Sequence, residues 1–308
     1  MRHTLRQLEV FVAIARLQNV SRAAETLSLS QSAASTALGE LERQFDCQLF
    51  DRMGKTLKLN ELGKTLLPMA AALLDQATEI ENVLQGNTAL GLLKVGATLT
   101  IGNYLATFLI GSFMKLHEEC QVQLHVHNTN SILQQVAHYD LDMGLIEGDC
   151  HHPDLEVEPW IEDELVVFCA PGHPLATRGA VDIAELLGDT WILREQGSGT
   201  RETFDHAMRH YHPQLNIRLV LEHTEAIERA VQSGLGIGCI SRLALRDAFR
   251  RGSLVPIETP ALDLRRQFLL VWHKKKYQTA SMREFLKHCR AMTANIRSTD
   301  EIKLSYIP

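Results

Sequence analysis

Between residues 21 and 45 the apolar positions fall into two short helical repeats separated by a polar break. Ala23, Ala24 and Leu27 share one face, Ser28-Leu29-Ser30 interrupts, and Ala34, Ala37, Leu38 and Leu41 resume the period. The spacing predicts two helices meeting at a tight turn, with Ser21 and Ser30 as N-caps and Ser28, three residues before Gln31, as the alternative start of the second. Upstream, Thr4 caps a helix over 4–17 whose stripe of Leu5, Leu8, Phe11, Val12 and Ala15 packs beneath the pair. Residues 47–52 and 57–60 read as two extended pieces around Met53-Gly54-Lys55-Thr56, a hairpin carrying Arg52, Lys55 and Lys58 at its tip.

A different pattern follows. From Asn60 as cap, a helix is predicted over 61–85 with Gly86 as its stop, and Leu66, Ala70, Leu73, Ala77, Ile80 and Leu84 step along it by four and three in turn. A heptad seam on one long helix calls for a partner helix, so a homodimer is expected, with Asp75, Glu79, Glu81 and Asn82 on the opposite face. Pro68 predicts a local kink. From residue 92 onward, short apolar runs (93–97, 122–127, 143–146, then 165–170, 191–193, 217–221, 236–241 and 267–272) alternate with helical patterns. The alternation predicts parallel strands with helices on both faces, arranged as two α/β lobes joined by two crossings and separated by a cleft.

The 308 residues carry a net charge of -6, which at first opposes a nucleic-acid partner. Divided, the chain reads otherwise: residues 1–60 hold eight Arg and Lys against six Asp and Glu, and the acidic excess lies downstream. Local charge at a contact face sets the phosphate interaction. At the start of the second helix of the pair, Gln31, Ser32, Ser35 and Thr36 are amides and hydroxyls suited to base edges, while Glu40 and Glu42 lie further along. Six scattered cysteines, without metal spacing, read as free thiols of a reducing compartment. No signal-peptide core and no membrane-spanning apolar run is evident, so a cytoplasmic protein without membrane contact is expected.

The ordered set Leu5-Arg6-Gln7-Leu8-Glu9-Val10-Phe11, Ser21-Arg22-Ala23-Ala24, Ser30-Gln31-Ser32-Ala33, Leu41-Glu42, Leu49-Phe50-Asp51-Arg52 and Leu62-Gly63 resembles the LysR-type transcriptional regulators, over essentially the whole chain. The resemblance implies an N-terminal all-α winged helix-turn-helix over 1–60, a dimerising linker helix and hinge over 61–91, and a two-lobed effector-binding domain over 92–308. Those lobes would be doubly wound α/β units resembling periplasmic binding proteins. It also implies a homotetramer on double-stranded DNA, with Gln31, Ser32, Ser35 and Thr36 facing bases, Arg52 at phosphate or minor groove, and RNA polymerase as a further partner.

For a small-molecule effector the resemblance points to the turn 98–103, where hydroxyls and free backbone N–H groups at a helix start suit an anion. Thr98 and Thr100 are the leading candidates, with Asn128, Glu147 and Thr200 as further walls. Within the family, Thr98-x-Thr100 is closest to members sensing small sulfur-containing anions or carboxylates, although Ile101 stands where sulfate binders often have an amide. Glu147, as an unscreened carboxylate, would repel an anion unless it is protonated or hydrogen-bonds a protonated anion.

Other motifs lead elsewhere. Gly234-Leu235-Gly236-Ile237-Gly238 precedes a strand where a dinucleotide fingerprint would follow one. Cys150-His151-His152 lacks a second metal-binding cluster, Ser198 lacks a nucleophile-elbow frame, and Lys274-Lys275-Lys276 reads as a solvated turn. No cofactor and no enzyme activity are expected. The alternative is a solute-binding protein of transport, which shares the two-lobed fold.

Overall fold

The computed structural model describes residues 3–53, 56–84 and 90–302. Three helices, α1 (Leu5–Leu17), α2 (Val20–Thr26) and α3 (Gln31–Gln44), lead to a hairpin of β1 (Phe50–Met53) and β2 (Thr56–Leu59), then to the long α4 (Glu61–Leu84). Thr4 caps α1 in a reciprocal box with Gln7, Ser30 caps α3, and the Asn60 side chain accepts from Gly63 N at 2.9 Å at the start of α4, all as expected. The cap of α2 is Asn19 and not Ser21. The Asn19 amide oxygen accepts from Arg22 N at 3.1 Å, so the helix starts earlier and Ser21 falls inside its first turn. Ser28, at φ 54, makes the turn between α2 and α3.

Alanines on α2 and α3 let these helices close on Phe11 and Ile14 of α1 in a single small core. A Cβ on Gly63 would lie 2.2 Å from the Leu49 carbonyl oxygen, so α4 leaves the hairpin in direct backbone contact. The α4 backbone runs on through Pro68, and Gly86 lies outside the described residues. Of the seam, Ala70 is buried in the N-terminal core, while Leu73, Ile80 and Leu84 are exposed beside Leu62 and Met69. The opposite face is not left to solvent: Asp75 and Glu79 engage the rest of the chain.

The remainder forms one nine-stranded sheet dressed with helices. Its first lobe contains β3 (Leu93–Thr98), α5 (Leu99–Ile101), a π-helical turn (Gly102–Ala106), α6 (Thr107–Leu116), β4 (Val122–His127), α7 (Thr129–Ala137) and β5 (Met143–Glu147). The fifteen-residue β6 (Leu155–Cys169) then passes into the second lobe. That lobe contains α8 (Ile183–Leu187), β7 (Thr190–Arg194), α9 (Gly199–Ala207), β8 (Asn216–Leu221), α10 (Thr224–Gln232), β9 (Ile237–Ser241), α11 (Arg242–Arg250) and β10 (Val255–Ile257). The chain returns through β11 (Arg265–His273), and α12 (Ala280–Met292) completes the first lobe.

Strand order is β4-β3-β5-β11-β6-β9-β7-β8, with β10 on β6. Within each lobe the expected parallel pairs form, β3 with β4 and β5, and β7 with β8 and β9. The expectation of an all-parallel texture fails at the crossings. There β6 and β11 run against one another from Arg265 opposite Glu164 to His273 opposite Leu155, because a chain that leaves and returns along one seam must reverse direction. Alternation along β6 sends Leu165, Val167 and Cys169 to one side and Val166 and Phe168 to the other, into separate cores.

Residues 99–116 are, by length and composition, apolar enough to cross a membrane, contrary to expectation. Here Leu105, Leu109 and Phe113 pack that stretch into the first lobe's core. Cys120, Cys169, Cys239 and Cys289 are buried free thiols, and Gly236 presses against the Thr190 backbone as the lead-in to β9.

Candidate functional site

Two surfaces gather the candidate residues. On α3, Ala34, Leu38 and Leu41 turn inward and Gln31, Ser32, Ser35 and Thr36 are all exposed on the outer side of the first turns. The two acids further along α3 are engaged within the domain. Glu40 accepts from the Gln7 side chain at 3.4 Å, and Glu42 accepts from Leu49 N at 2.8 Å, so both carboxylates tie α3 to its own domain. The hairpin stands beside this face across a hollow of about 470 Å³ lined by Gln31, Ser35, Gln48 and Asp51. Arg52 pairs with Leu57 in the hairpin register; its side chain, and Gly54 and Lys55, lie outside the described residues. The first turns of α3 therefore offer hydroxyl and amide groups on a surface an extended polyanion can approach, with Glu42 and Asp51 set in the hollow beside it.

The second surface lies where the lobes meet. Glu147 ends β5 and Arg266 stands near the start of its neighbour β11, where Phe268 is the residue opposite Glu147. Arg266 donates Nη2 to Glu147 Oε2 at 3.3 Å, Nη1 to Thr200 Oγ1 at 2.9 Å and Nε to Asp163 Oδ2 at 2.7 Å. Thr200 in turn donates to Glu147 Oε1 at 3.1 Å. The hydroxyls of Ser241 and Thr299 donate to Asp163 Oδ1, each at 2.8 Å. Burial alone would drive the guanidinium to lose its charge, but Glu147 and Asp163 outweigh it and hold the Arg266 pKa above its ordinary value. Glu147 is thus a paired carboxylate, but it shares the one Arg266 cation with Asp163, so the expected repulsion toward an anion is only partly offset.

Around this base the lobes are pinned backbone to side chain. Thr129 Oγ1 donates to the Glu147 carbonyl at 3.3 Å and accepts from Gly199 N at 3.0 Å, and Asn130 N donates to the Gly197 carbonyl at 3.0 Å. A Cβ at residue 199 would fall 2.0 Å from the Glu147 carbonyl oxygen, so only glycine lets α9 begin there. Against this tightly satisfied frame, two buried hydroxyls have no hydrogen-bond partner: Thr98 Oγ1 at the end of β3, and Ser198 Oγ just before α9, where it forgoes the usual capping bond. Buried hydroxyls are rarely left so, and a polar ligand is one way to satisfy them.

Of the five residues expected at a ligand, Glu147 and Thr200 are in direct contact, and Thr98 and Thr100 are buried at the end of β3 and in the following turn. Asn128 does not bond to Glu147, Thr200 or Arg266: its side-chain oxygen caps α7, accepting from Ser131 N at 3.0 Å, while its amide nitrogen lies near Gly197. Arg201, in the same glycine-bearing turn as Thr200, is tied to Asp205 and to the Arg194 carbonyl. Arg266 and Asp163 are the residues sequence reading misses. Their only signal is charge at the head of an apolar strand, Arg265-Arg266 before Gln267-Phe268-Leu269-Leu270. Among the described residues no group of three or more His, Cys, Asp or Glu side chains is placed to hold a metal, and Cys150 is half-buried.

Comparison with known proteins identifies the two parts of the chain that carry these surfaces. Residues 5–64 match the bacterial regulatory helix-turn-helix protein, lysR family, and residues 86–294 match the LysR substrate binding domain. The chain is 42% identical over 289 residues to the uncharacterized HTH-type transcriptional regulator YeiE of Escherichia coli, covering 94% of this chain and 98% of that one. Among solved structures, the CcmR regulatory domain of Synechocystis in complex with 2-PG matches at 26% identity and TM-score 0.64, covering 68% of this chain and all of that one. A full-length OxyR from Pseudomonas aeruginosa has the same fold throughout, with 22% identity, TM-score 0.69 and 97% of each chain covered.

Proposed function

The chain belongs to the LysR family of transcriptional regulators, DNA-binding proteins that are not enzymes, and from that premise we propose what it reads and what it senses. Gln31, Ser32, Ser35 and Thr36 contact bases in the major groove of double-stranded DNA, and Arg52 contacts phosphate or minor groove. The segments are a DNA-reading unit over 1–60, a linker over 61–91 and an effector domain over 92–308. Two copies join through the exposed α4 seam and two such dimers form a tetramer in the cytoplasm, where RNA polymerase is the downstream partner.

The effector is a small polar or anionic molecule, with sulfite, sulfate and simple carboxylates as the first candidates, held at the junction of the lobes by Thr98, Thr100, Ser198 and Thr200. The observation that carries this reading is the pair of unpartnered buried hydroxyls, Thr98 at the end of β3 and Ser198 two residues before Thr200, which itself bonds to Arg266 and Glu147. Neutral donors suit a compact polar molecule or an oxyanion of low charge, because the base holds one cation against two carboxylates and offers an incoming negative charge no free cation. The CcmR regulatory domain in complex with 2-PG supports a small-molecule ligand as a class. The transport alternative is not favoured, because residues 5–64 match a DNA-reading domain.

Footprinting of the full chain on fragments upstream of its own and adjoining genes, with and without millimolar sulfite, tests the reading. A protected site whose length or cleavage pattern changes with sulfite supports it. Protection that is absent, or insensitive to sulfite, sulfate and carboxylates alike, overturns the corresponding half.

A further inference from the structure

The acidic face of α4 is docked on the first lobe of its own chain. Lys276, three residues beyond β11, places its ammonium 2.8 Å from Asp75 of α4 and 2.8 Å from Asp142, the residue just before β5, with its side chain 3% exposed. Burial disfavours the ammonium, yet the two carboxylates outweigh it and hold Lys276 protonated. One turn further along α4, Glu79 accepts from Tyr277 Oη at 2.7 Å and from Ala280 N, the first residue of α12, at 2.6 Å. Asp142 is itself fixed, accepting from Lys94 N at 2.7 Å.

The placement of these groups along two strands is what gives them meaning. β5 runs from Met143, next to Asp142, to Glu147, and β11 runs from Arg265, next to Arg266, to His273, three residues short of Lys276. The strands are antiparallel neighbours, paired from Phe268 opposite Glu147 to Val271 opposite Gly144. The paired stretch, about 10 Å long at ~3.4 Å per residue, thus lies between the Arg266–Glu147 pair at its junction end and the Lys276–Asp142 pair just beyond its linker end. A paired ladder resists stretching and shear, so displacement of one end carries to the other.

We propose that Asp75 and Glu79 form a docking surface through which the effector domain grips the linker helix, and that the β5–β11 ladder couples the state of the Arg266–Glu147 pair to that grip. Lys276 and Asp75 are positioning residues in this scheme. The scheme deepens the functional reading above, on which its biological meaning rests, but the coupling itself requires no knowledge of the effector.

Amide hydrogen exchange on the full chain, followed by mass spectrometry over residues 75–84, tests it. Glu147→Gln, which weakens the junction pair, is expected to raise exchange there at least about threefold in the otherwise unchanged chain. Asp75→Asn is expected to raise it about tenfold alone and to abolish any further effect of Glu147→Gln. Lys276→Met is expected to behave as Asp75→Asn does, and Asp75→Asn keeps the test decisive if Lys276→Met fails to fold. No response of residues 75–84 to Glu147→Gln, or a response that persists in full with Asp75→Asn, overturns the coupling. Sulfite separates the two readings. Calorimetric binding of sulfite with an unresponsive α4 defeats the coupling alone, whereas a responsive α4 without sulfite binding defeats only that choice of effector.

Discussion

Arg266 and Glu147 pair at 3.3 Å with side chains only 2% and 1% exposed, and Asp163 shares the same guanidinium at 2.7 Å. Removing the cation would leave two buried carboxylates facing one another. Arg266→Met is therefore expected to destabilise the chain by about 3–5 kcal/mol at neutral pH in denaturant unfolding. The pH dependence has a definite sign. Unpaired buried carboxylates take folded-state pKa values above their unfolded ones, so the deficit is full at high pH and shrinks as acid protonates them. A deficit that grows on acidification would show that Arg266 does not neutralise these groups.

Thr98 and Ser198 invert the usual relation between polar groups and stability. Each hydroxyl is buried without a partner, so the unliganded fold gains nothing from its hydrogen-bonding capacity. Thr98→Val and Ser198→Ala are expected to leave the unliganded chain as stable as before, or more stable by up to about 1–3 kcal/mol. Both should abolish the rise in melting temperature produced by sulfite, a rise worth about 2.7 kcal/mol at one hundred times Kd. Loss of stability in the absence of ligand would mean that these hydroxyls serve packing.

What the sequence made legible followed from periodicity. The helices of the N-terminal domain, the hairpin, α4 and eight of the later strands stand where apolar spacing places them, and Thr4, Ser30 and Asn60 cap the helices they were expected to cap. Glu147 and Thr200 were legible because each ends or begins an element at the lobe junction. Arg266, Asp163 and Lys276 were not, because a charged residue beside an apolar run reads as exposed unless its distant partners are known. Asp163 and Arg266 are 103 residues apart, and Lys276 and Asp75 are joined only by the docking of one domain on another. The antiparallel course of β6 and β11 escaped for the same reason, since strand direction at a crossing depends on topology.

Glu228 on α10 predicts a second pH effect. Burial, reinforced by the neighbouring Glu225 and Asp247 against Arg251, pushes its pKa up to about 7, and Oε1 has no hydrogen-bond partner. The folded state holds this proton more tightly than the unfolded state, so stability from this group is greatest below the unfolded pKa and falls as pH rises through about 7. Because the carboxyl is only partly buried, the shift is discounted for solvent screening. Glu228→Gln is then expected to add about 1 kcal/mol above pH 7.5 and nothing below pH 4.5. Chemical unfolding of the two chains across that range checks it, and parallel curves would remove the effect.

The outer face of α3 separates base reading from phosphate holding. Gln31→Ala and Ser35→Ala remove exposed groups that cap nothing in the fold, so folding stability should stay within about 0.5 kcal/mol. Discrimination between the proper site and a one-base variant should fall by about 1–3 kcal/mol. Lys58→Ala on the exposed hairpin should weaken binding equally for both sites and lower the salt slope by about 1. Fluorescence anisotropy at several salt concentrations distinguishes the two outcomes.

The α4 seam gives the last test, because a reader of two half-sites must present two α3 helices. Met69 and Leu73 are 66% and 38% exposed and border an apolar hollow of about 660 Å³ that also takes in Leu41, Phe45 and Leu62. A monomer would leave that patch in water, whereas a second α4 laid along the seam would bury it. Leu73→Asp places a charge in the contact while touching little of the N-terminal core, so the chain should fold yet sediment as a monomer at micromolar concentration. Its footprint should shrink to a single half-site, with affinity at least about a hundredfold lower, since the second recognition helix no longer arrives on the same molecule. A Leu73→Asp chain that still sediments with the parent, and protects the full site, would place the dimer contact elsewhere on the protein.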